Sequence, residues 1–279
     1  MDVITVNVGQ GALSVVRHNA EAIVIDARIP PSGDETVAYV KGMLATYLKG
    51  YYVRGLILTS FDKDHADISG VSLILLKYRP DWVMYPKYYK DTEEAGLIFR
   101  LIDEQEKARK VTTNPLKRYS VRLDQLSSRL LTGLSLQFQF ELFSPHIEDM
   151  DNSNNSSIVL KLTGQGQGGF SYLITGDTEN ERWNTIDRLF GASLRSDVMA
   201  APHHGSKTGV NPATLLHVEP NTVLISAGVD NQYGHPDPQA VKVYRRIAKH
   251  VFSTSHVQGG VSFLTVARPD DFETRFIST

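Results

Sequence analysis

Leu58-Thr59-Ser60-Phe61-Asp62-Lys63-Asp64-His65 follows an apolar run from Gly55 and precedes a second apolar segment from Ile68 to Leu76. Apolar run, polar break and apolar run read as a loop at the mouth of a buried strand, leading into a helix. Asp62, Asp64 and His65 are potential metal ligands in close succession, and carboxylates and imidazole so crowded are costly unless something cationic sits among them. The plainer alternative is a helix cap: Asp64 is a favoured residue for starting a helix near His65, where the dipole welcomes negative charge.

Three later stretches repeat the pattern. Asp177 ends the apolar run Leu173-Ile174-Thr175-Gly176, Ala201-Pro202-His203-His204-Gly205-Ser206 follows another run, and Gln232-Tyr233-Gly234-His235-Pro236 a fourth. An open α/β sheet binds ligands outside the carboxyl ends of its strands, so endings far apart in sequence can converge on one site.

In this respect the chain resembles the metallo-β-lactamase fold, and within it the soluble domain of ComEC-like DNA-uptake proteins. The order of motifs carries the resemblance: Val8-Gly9-Gln10-Gly11, the Asp62-Lys63-Asp64-His65 loop, Asn154-Asn155-Ser156-Ser157, Thr175-Gly176-Asp177, Pro202-His203-His204-Gly205-Ser206 and Tyr233-Gly234-His235-Pro236. Any one motif is weak; the ordered set is specific and spans nearly the whole chain. It implies an α/β fold, a four-layer αβ/βα sandwich, as a single domain over residues 1–279. A helical insertion is expected at about 87–131.

Length and composition agree. A chain of 279 residues, 41% hydrophobic, buries a substantial core. The net charge of −2 gives no overall attraction to nucleic acid or anionic membrane, so such contact must rest on a local basic patch. With no cysteine, disulfides and thiolate zinc sites are excluded and any metal is held by nitrogen and oxygen. The start at Met1-Asp2 has no basic, apolar leader, and no stretch is long enough to span a bilayer. The expectation is a cytoplasmic protein without a membrane role.

Elsewhere, Asp26 ends the third apolar run; in the resembled family an acid there helps orient the site, while the alternative is a surface turn before Pro30-Pro31. Lys107, Arg109, Lys110, Lys117, Arg118 and Arg122 form a run free of acids, with Tyr119 interleaved. Lys117 and Arg118 could follow a nucleic-acid backbone; a solvated helical face is the commoner reason for such a run, and docking of a protein partner on the insertion is a third reading. The Gly164–Gly169 loop lacks the strand-to-helix context of a phosphate loop.

The resemblance assigns Asp62, Asp64, His65, Asp177 and His203 as metal ligands, with Asp177 bridging two metals. Adjacent histidines point in different directions, so His203 is taken as the ligand and His204 as a substrate contact. Asn154 stands where many relatives have a ligating His and is assigned to orienting substrate or water. His235 donates a proton or hydrogen bond to phosphate, and Lys207 adds attraction for it. One departure matters: Ser60 replaces the first His of the family loop. The site near Asp62 is therefore oxygen-rich, which on softness grounds favours manganese or magnesium, while Asp64, His65 and His203 suit zinc. One firm site and one weaker one are expected, for zinc or manganese.

The function so implied is a metal-dependent hydrolase, a phosphodiesterase or nuclease cleaving DNA or RNA with a metal-activated water, and Asp64, His235 and Asn154 in catalytic roles. Two alternatives stand beside it. One is a catalytically degenerate shell serving as a binding subunit of a multiprotein assembly, such as an antiviral defence complex. The other is a small-molecule ester metallohydrolase, which a closed, apolar groove would favour.

Overall fold

The computed structural model describes residues 1–30, 34–88, 91–125, 131–149, 152–269 and 271–278. In β1 (Asp2–Thr5) successive side chains face opposite layers, Val3 toward one core and Ile4 toward another. β2 (Ser14–His18) and β3 (Glu21–Ile25) follow in antiparallel pairing, and α1 (Asp34–Tyr47) crosses to β4 (Tyr52–Ile57), parallel to β3. α2 (Ile68–Leu73) runs on into a π-helical turn, Ile74–Tyr78, before β5 (Trp82–Pro86). α3 (Glu93–Arg109) leads to β6 (Lys117–Val121), again parallel to its neighbour.

The second sheet opens with β7 (Phe138–Ser144), β8 (Val159–Gly164) and β9 (Ser171–Ile174), paired antiparallel in turn. α4 (Asn180–Phe190), β10 (Val198–Ala200), α5 (Pro212–Val218), β11 (Thr222–Ile225), α6 (Pro238–Ile247) and β12 (His250–Ser253) continue it with parallel strands. β13 (Ser262–Arg268) and β14 (Asp271–Ile277) return to the first sheet beside β1. The orders are β14-β13-β1-β2-β3-β4-β5-β6 and β12-β11-β10-β9-β8-β7.

Three apolar layers make this the four-layer sandwich that the sequence implied. Val40, Met43, Leu44 and Ile98 pack helices α1 and α3 on the first sheet, Ile23, Phe140, Leu160 and Phe263 join the two sheets, and Trp183, Ile186, Leu215 and Tyr244 pack α4, α5 and α6 on the second. β3 is buried at every position, as a strand covered on both faces must be.

Between Lys87 and Leu131 the expected helix is present as α3, but a strand follows it, so the segment extends the sheet rather than standing apart from it. Residues 89–90 and 126–130 of that segment, like Pro31 of the expected turn, lie outside the described residues. Lys117 and Arg118 pair in register with Trp82 and Val83 at the start of β6, the end opposite to where β5 delivers its chain. Arg118 is held by Asp103 and, at 3.0 Å, Glu106. Among the described residues no helix is long and apolar enough to cross a membrane.

Candidate metal centre

Five strands deliver their carboxyl ends to one place. β3 leads to Asp26, β4 to the Leu58–His65 loop, β9 to Asp177, β10 to His203 and His204, and β11 to Ser226 and beyond. The loop after β4 is fixed by hydrogen bonds from the His65 and Ala66 amides to the Asp62 carbonyl, both 2.8 Å, and from Ala27 N to His65 O, 2.7 Å. The helix cap is Asp67, which accepts from the amides of Ser69 and Gly70. Asp64 is therefore not the cap. A Cβ at Gly70 would stand 1.8 Å from the Ala27 carbonyl oxygen, so only glycine lets α2 approach β3 this closely.

Asp64, His65, Asp177 and His204 form one cluster, each offering a ligand atom within 4.8 Å of the others. His65 is buried between two carboxylates, Nδ1 at 2.8 Å from Asp26 Oδ2 and Nε2 at 2.8 Å from Asp177 Oδ1. Asp26 also accepts from the Thr59 amide, 2.7 Å, and hydroxyl, 2.8 Å. It is thus the buried orienting acid, not a surface turn. His204 Nδ1 donates to the Ser226 carbonyl at 2.8 Å. Its buried Nε2 has no hydrogen-bond partner and stands 3.4 Å from Asp64 Oδ2 and 3.5 Å from Asp177 Oδ1.

These contacts set the electrostatics. Burial alone would lower the His65 pKa, but the carboxylates of Asp177 and Asp26 overcome it and raise it well above the ordinary histidine value. His204 is raised against its burial in the same way, chiefly by Asp177. Burial would push Asp177 up, yet His65 and His204 hold it well below the usual carboxylate range. Such a group calls for positive charge at its centre, met by protons or by a cation. With Nδ1 of each imidazole committed to an oxygen, Nε2 is the atom left for ligation, the arrangement by which outer hydrogen bonds orient metal-binding histidines. The orphaned His204 Nε2 and the two-imidazole, two-carboxylate donor set fit a divalent cation.

His203 lies outside the cluster. The turn after β10 puts both His203 and His204 in left-handed backbone, φ 50° and 54°, and this turns the adjacent rings apart: His204 faces inward, while His203 Nδ1 lies 3.3 Å from Glu179 Oε1 at the groove wall. The cluster thus contains His204 where the sequence reading placed His203, and His203 lines the groove wall. Asp62 is also outside the four, its carboxylate accepting from the hydroxyls of Ser60 and Ser153. Asn154 and His235 line the groove above the cluster; burial lowers the His235 pKa, followed by the charges of His203 and His204. Lys207 is exposed and is not part of the groove lining. Neither Lys117 nor Arg118 lines it.

Thr59, Glu179 and Arg28 were not singled out from sequence. For Thr59 and Glu179 a signal existed, since each neighbours a motif residue; Arg28 had none. The groove holds about 750 Å³ and is lined mainly by polar side chains, with Arg28 and Lys63 as its cations.

No family model matches the chain. It is 29% identical over 199 residues to the ComE operon protein 3 of Bacillus subtilis, covering 71% of this chain and 23% of that protein. It is 26% identical over 256 residues to Recombination protein 2 of Haemophilus influenzae, covering 90% and 27%. The chain thus spans about a quarter of the length of these relatives. Among solved structures, the metallo-β-lactamase fold protein YhfI of Bacillus subtilis superposes with a TM-score of 0.51 at 10% identity, covering 94% and 98% of the two chains. Igni18, a metallo hydrolase of Ignicoccus hospitalis, gives 0.52 at 14% identity, covering 96% and 100%. The chain accordingly has the metallo-β-lactamase fold and is similar in sequence to about a quarter of the ComE operon protein 3 and of Recombination protein 2.

Proposed function

We propose that this protein is a metal-dependent phosphodiesterase acting on nucleic acid. The observation that carries the reading is the cluster of Asp64, His65, Asp177 and His204 at the floor of an open groove, with an inward-facing imidazole nitrogen that makes no hydrogen bond and faces two carboxylates. A bound divalent ion would supply Lewis acidity and a nucleophilic water at neutral pH. The protein's own groups do the rest. Asp26 and the Ser226 carbonyl hold the two imidazoles in position. His235, its pKa lowered by burial and by the charges of His203 and His204, donates a hydrogen bond to a phosphate oxygen. Asn154, also in the lining, orients the substrate, and Lys63 balances phosphate charge. Zinc and manganese both suit the donor set. Ser60, Asp62 and Ser153 make an all-oxygen neighbour that suits the weaker, harder-ion site.

A small-ester hydrolase would call for a closed, apolar pocket, whereas this groove is open and carries Arg28, Asp62, Lys63 and Asn154 in its walls. A decayed binding shell has little physical reason to keep buried, mutually oriented acids and imidazoles. The test is cleavage of single- and double-stranded DNA and RNA with manganese, zinc, magnesium or chelator. Cleavage that needs metal and disappears in Asp64→Ala and His65→Ala is expected. Absence of cleavage with every ion would refute the reading, and cleavage persisting in those variants would refute the site.

A further inference from the structure

The motif Val8-Gly9-Gln10-Gly11 plays no part in the cluster, yet the chain is built tightly around it. Ala12 N donates to the Asp64 carbonyl at 2.8 Å, Ser226 Oγ to the Gly11 carbonyl at 2.8 Å, and Gly228 N to Gln10 Oε1 at 3.2 Å. A Cβ on Gly11 would meet the Asp64 carbonyl oxygen and Arg28 Cγ, each at 2.6 Å, and one on Gly228 would meet Gln10 N at 2.7 Å. Those two glycines are required by close approach. Gly9 is different: a Cβ there would touch nothing within 4 Å, so packing does not forbid a side chain. One would project into open space.

Gly9 lies in the walls of two adjoining open hollows. The groove over the cluster, about 750 Å³, and a second chamber of about 1080 Å³ share Gly9, Gln10, Arg28 and Val229 in their walls. The second chamber extends away from the cluster to Tyr39, Gln258 and Gly260. Each is on the scale of the roughly 300–1,000 Å³ pockets that hold an organic ligand, and Gly9 with Gln10 forms a low saddle between them. Arg28 stands at the junction with its side chain 12% exposed. Its Nη1 reaches the Lys63 carbonyl and the Asp67 carboxylate, while its Nε has no partner.

We propose that the saddle and second chamber are a subsite for a single-stranded phosphodiester chain, with Arg28 contacting a phosphate that flanks the scissile one. This rests on the phosphodiesterase reading above and names its substrate class. A small substrate at the cluster would have no use for a second chamber reached over a bare glycine. A duplex keeps its bases inside the stack, whereas unpaired bases can be splayed against these open hollows and met by aromatic and amide side chains such as Tyr39 and Gln258. Among the described residues the second chamber's wall carries one carboxylate, Asp230, and one guanidinium, Arg28.

Two variants test it. Gly9→Asn raises the saddle with a residue that tolerates the left-handed backbone found there, φ 71°. Gln258→Glu puts a negative charge at an exposed position, where the fold is not at stake. Binding of fluorescent single-stranded DNA and RNA hexanucleotides is measured by anisotropy in chelator, so that cleavage does not intervene. The manganese-loaded protein is then assayed for kcat/KM on dinucleotides, hexanucleotides and bis(p-nitrophenyl) phosphate.

The expected results are tighter binding of single strands than of duplex, a kcat/KM that rises with length, and in both variants weaker binding and a hexanucleotide-to-diester ratio reduced about tenfold, equivalent to ~1.4 kcal/mol. Wild-type binding and ratio in both variants, or a preference for duplex, would overturn the proposal. A protein that cleaves the small diester with no gain from length refutes the subsite alone. One that binds single strands through Gly9 and Gln258 but cleaves nothing refutes the phosphodiesterase reading and upholds the subsite.

Discussion

Asp26 shows how much a residue two steps from the chemistry can matter. It does not line the groove, yet while buried it accepts hydrogen bonds from His65 Nδ1 and from both the amide and the hydroxyl of Thr59. Asp26→Asn keeps the size but cannot accept from all three, and metal affinity should fall roughly 10–100-fold, the usual cost of losing an orienting partner; titration calorimetry measures it, and unchanged affinity would contradict the role. Proton linkage follows from the raised histidines. In the metal-free protein the His65 and His204 imidazolium–carboxylate contacts stabilise the fold fully below the ordinary histidine pKa and are lost as pH rises through the raised values. Asp177, held low, contributes above the ordinary carboxylate pKa and loses that contribution as pH falls through its depressed value. A cation must displace the imidazole protons, so uptake should release protons at neutral pH and apparent affinity should fall on acidification. Calorimetry in buffers of different ionisation enthalpy reads this directly; no proton release would contradict it.

Among elements, the strand ends were legible in sequence because the apolar runs of β3, β4, β9 and β10 give way within a few residues to Asp or His, whereas β11 gives way to Ser226 and its motif histidine, His235, comes only later. What the sequence hid has physical causes. Adjacent His203 and His204 look alike until the left-handed turn separates them. β6 was masked by its basic residues, since an edge strand with one neighbour tolerates exposed charge. β14, beyond β13, went unread; it too is an edge, with half-exposed side chains and little alternation. The position of β6 changes the expectation for the basic run. Arg118 is already paired with Asp103 and Glu106, and both Lys117 and Arg118 lie at the strand end remote from the groove. Lys117→Glu with Arg118→Glu should leave oligonucleotide affinity and its salt dependence as in wild type. A fall in the salt slope would return this face to the substrate path.

Across the molecule, the ordered set of motifs placed the chain in a four-layer sandwich through the family it resembles, and the structure brings those motifs to one edge of the two sheets. The donor geometry was not legible to the same degree: Asp62 and Asp64 are equivalent on paper, and only the loop's hydrogen bonds send Asp64 to His204 and Asp62 to Ser60 and Ser153. The account therefore stands or falls on which residues retain metal. Elemental analysis of the purified chain beside His204→Ala and His203→Ala is the most direct measurement. Divalent metal retained in wild type and in His203→Ala but lost in His204→Ala is the predicted result; metal lost in His203→Ala and retained in His204→Ala, or absent from wild type after loading, would contradict it.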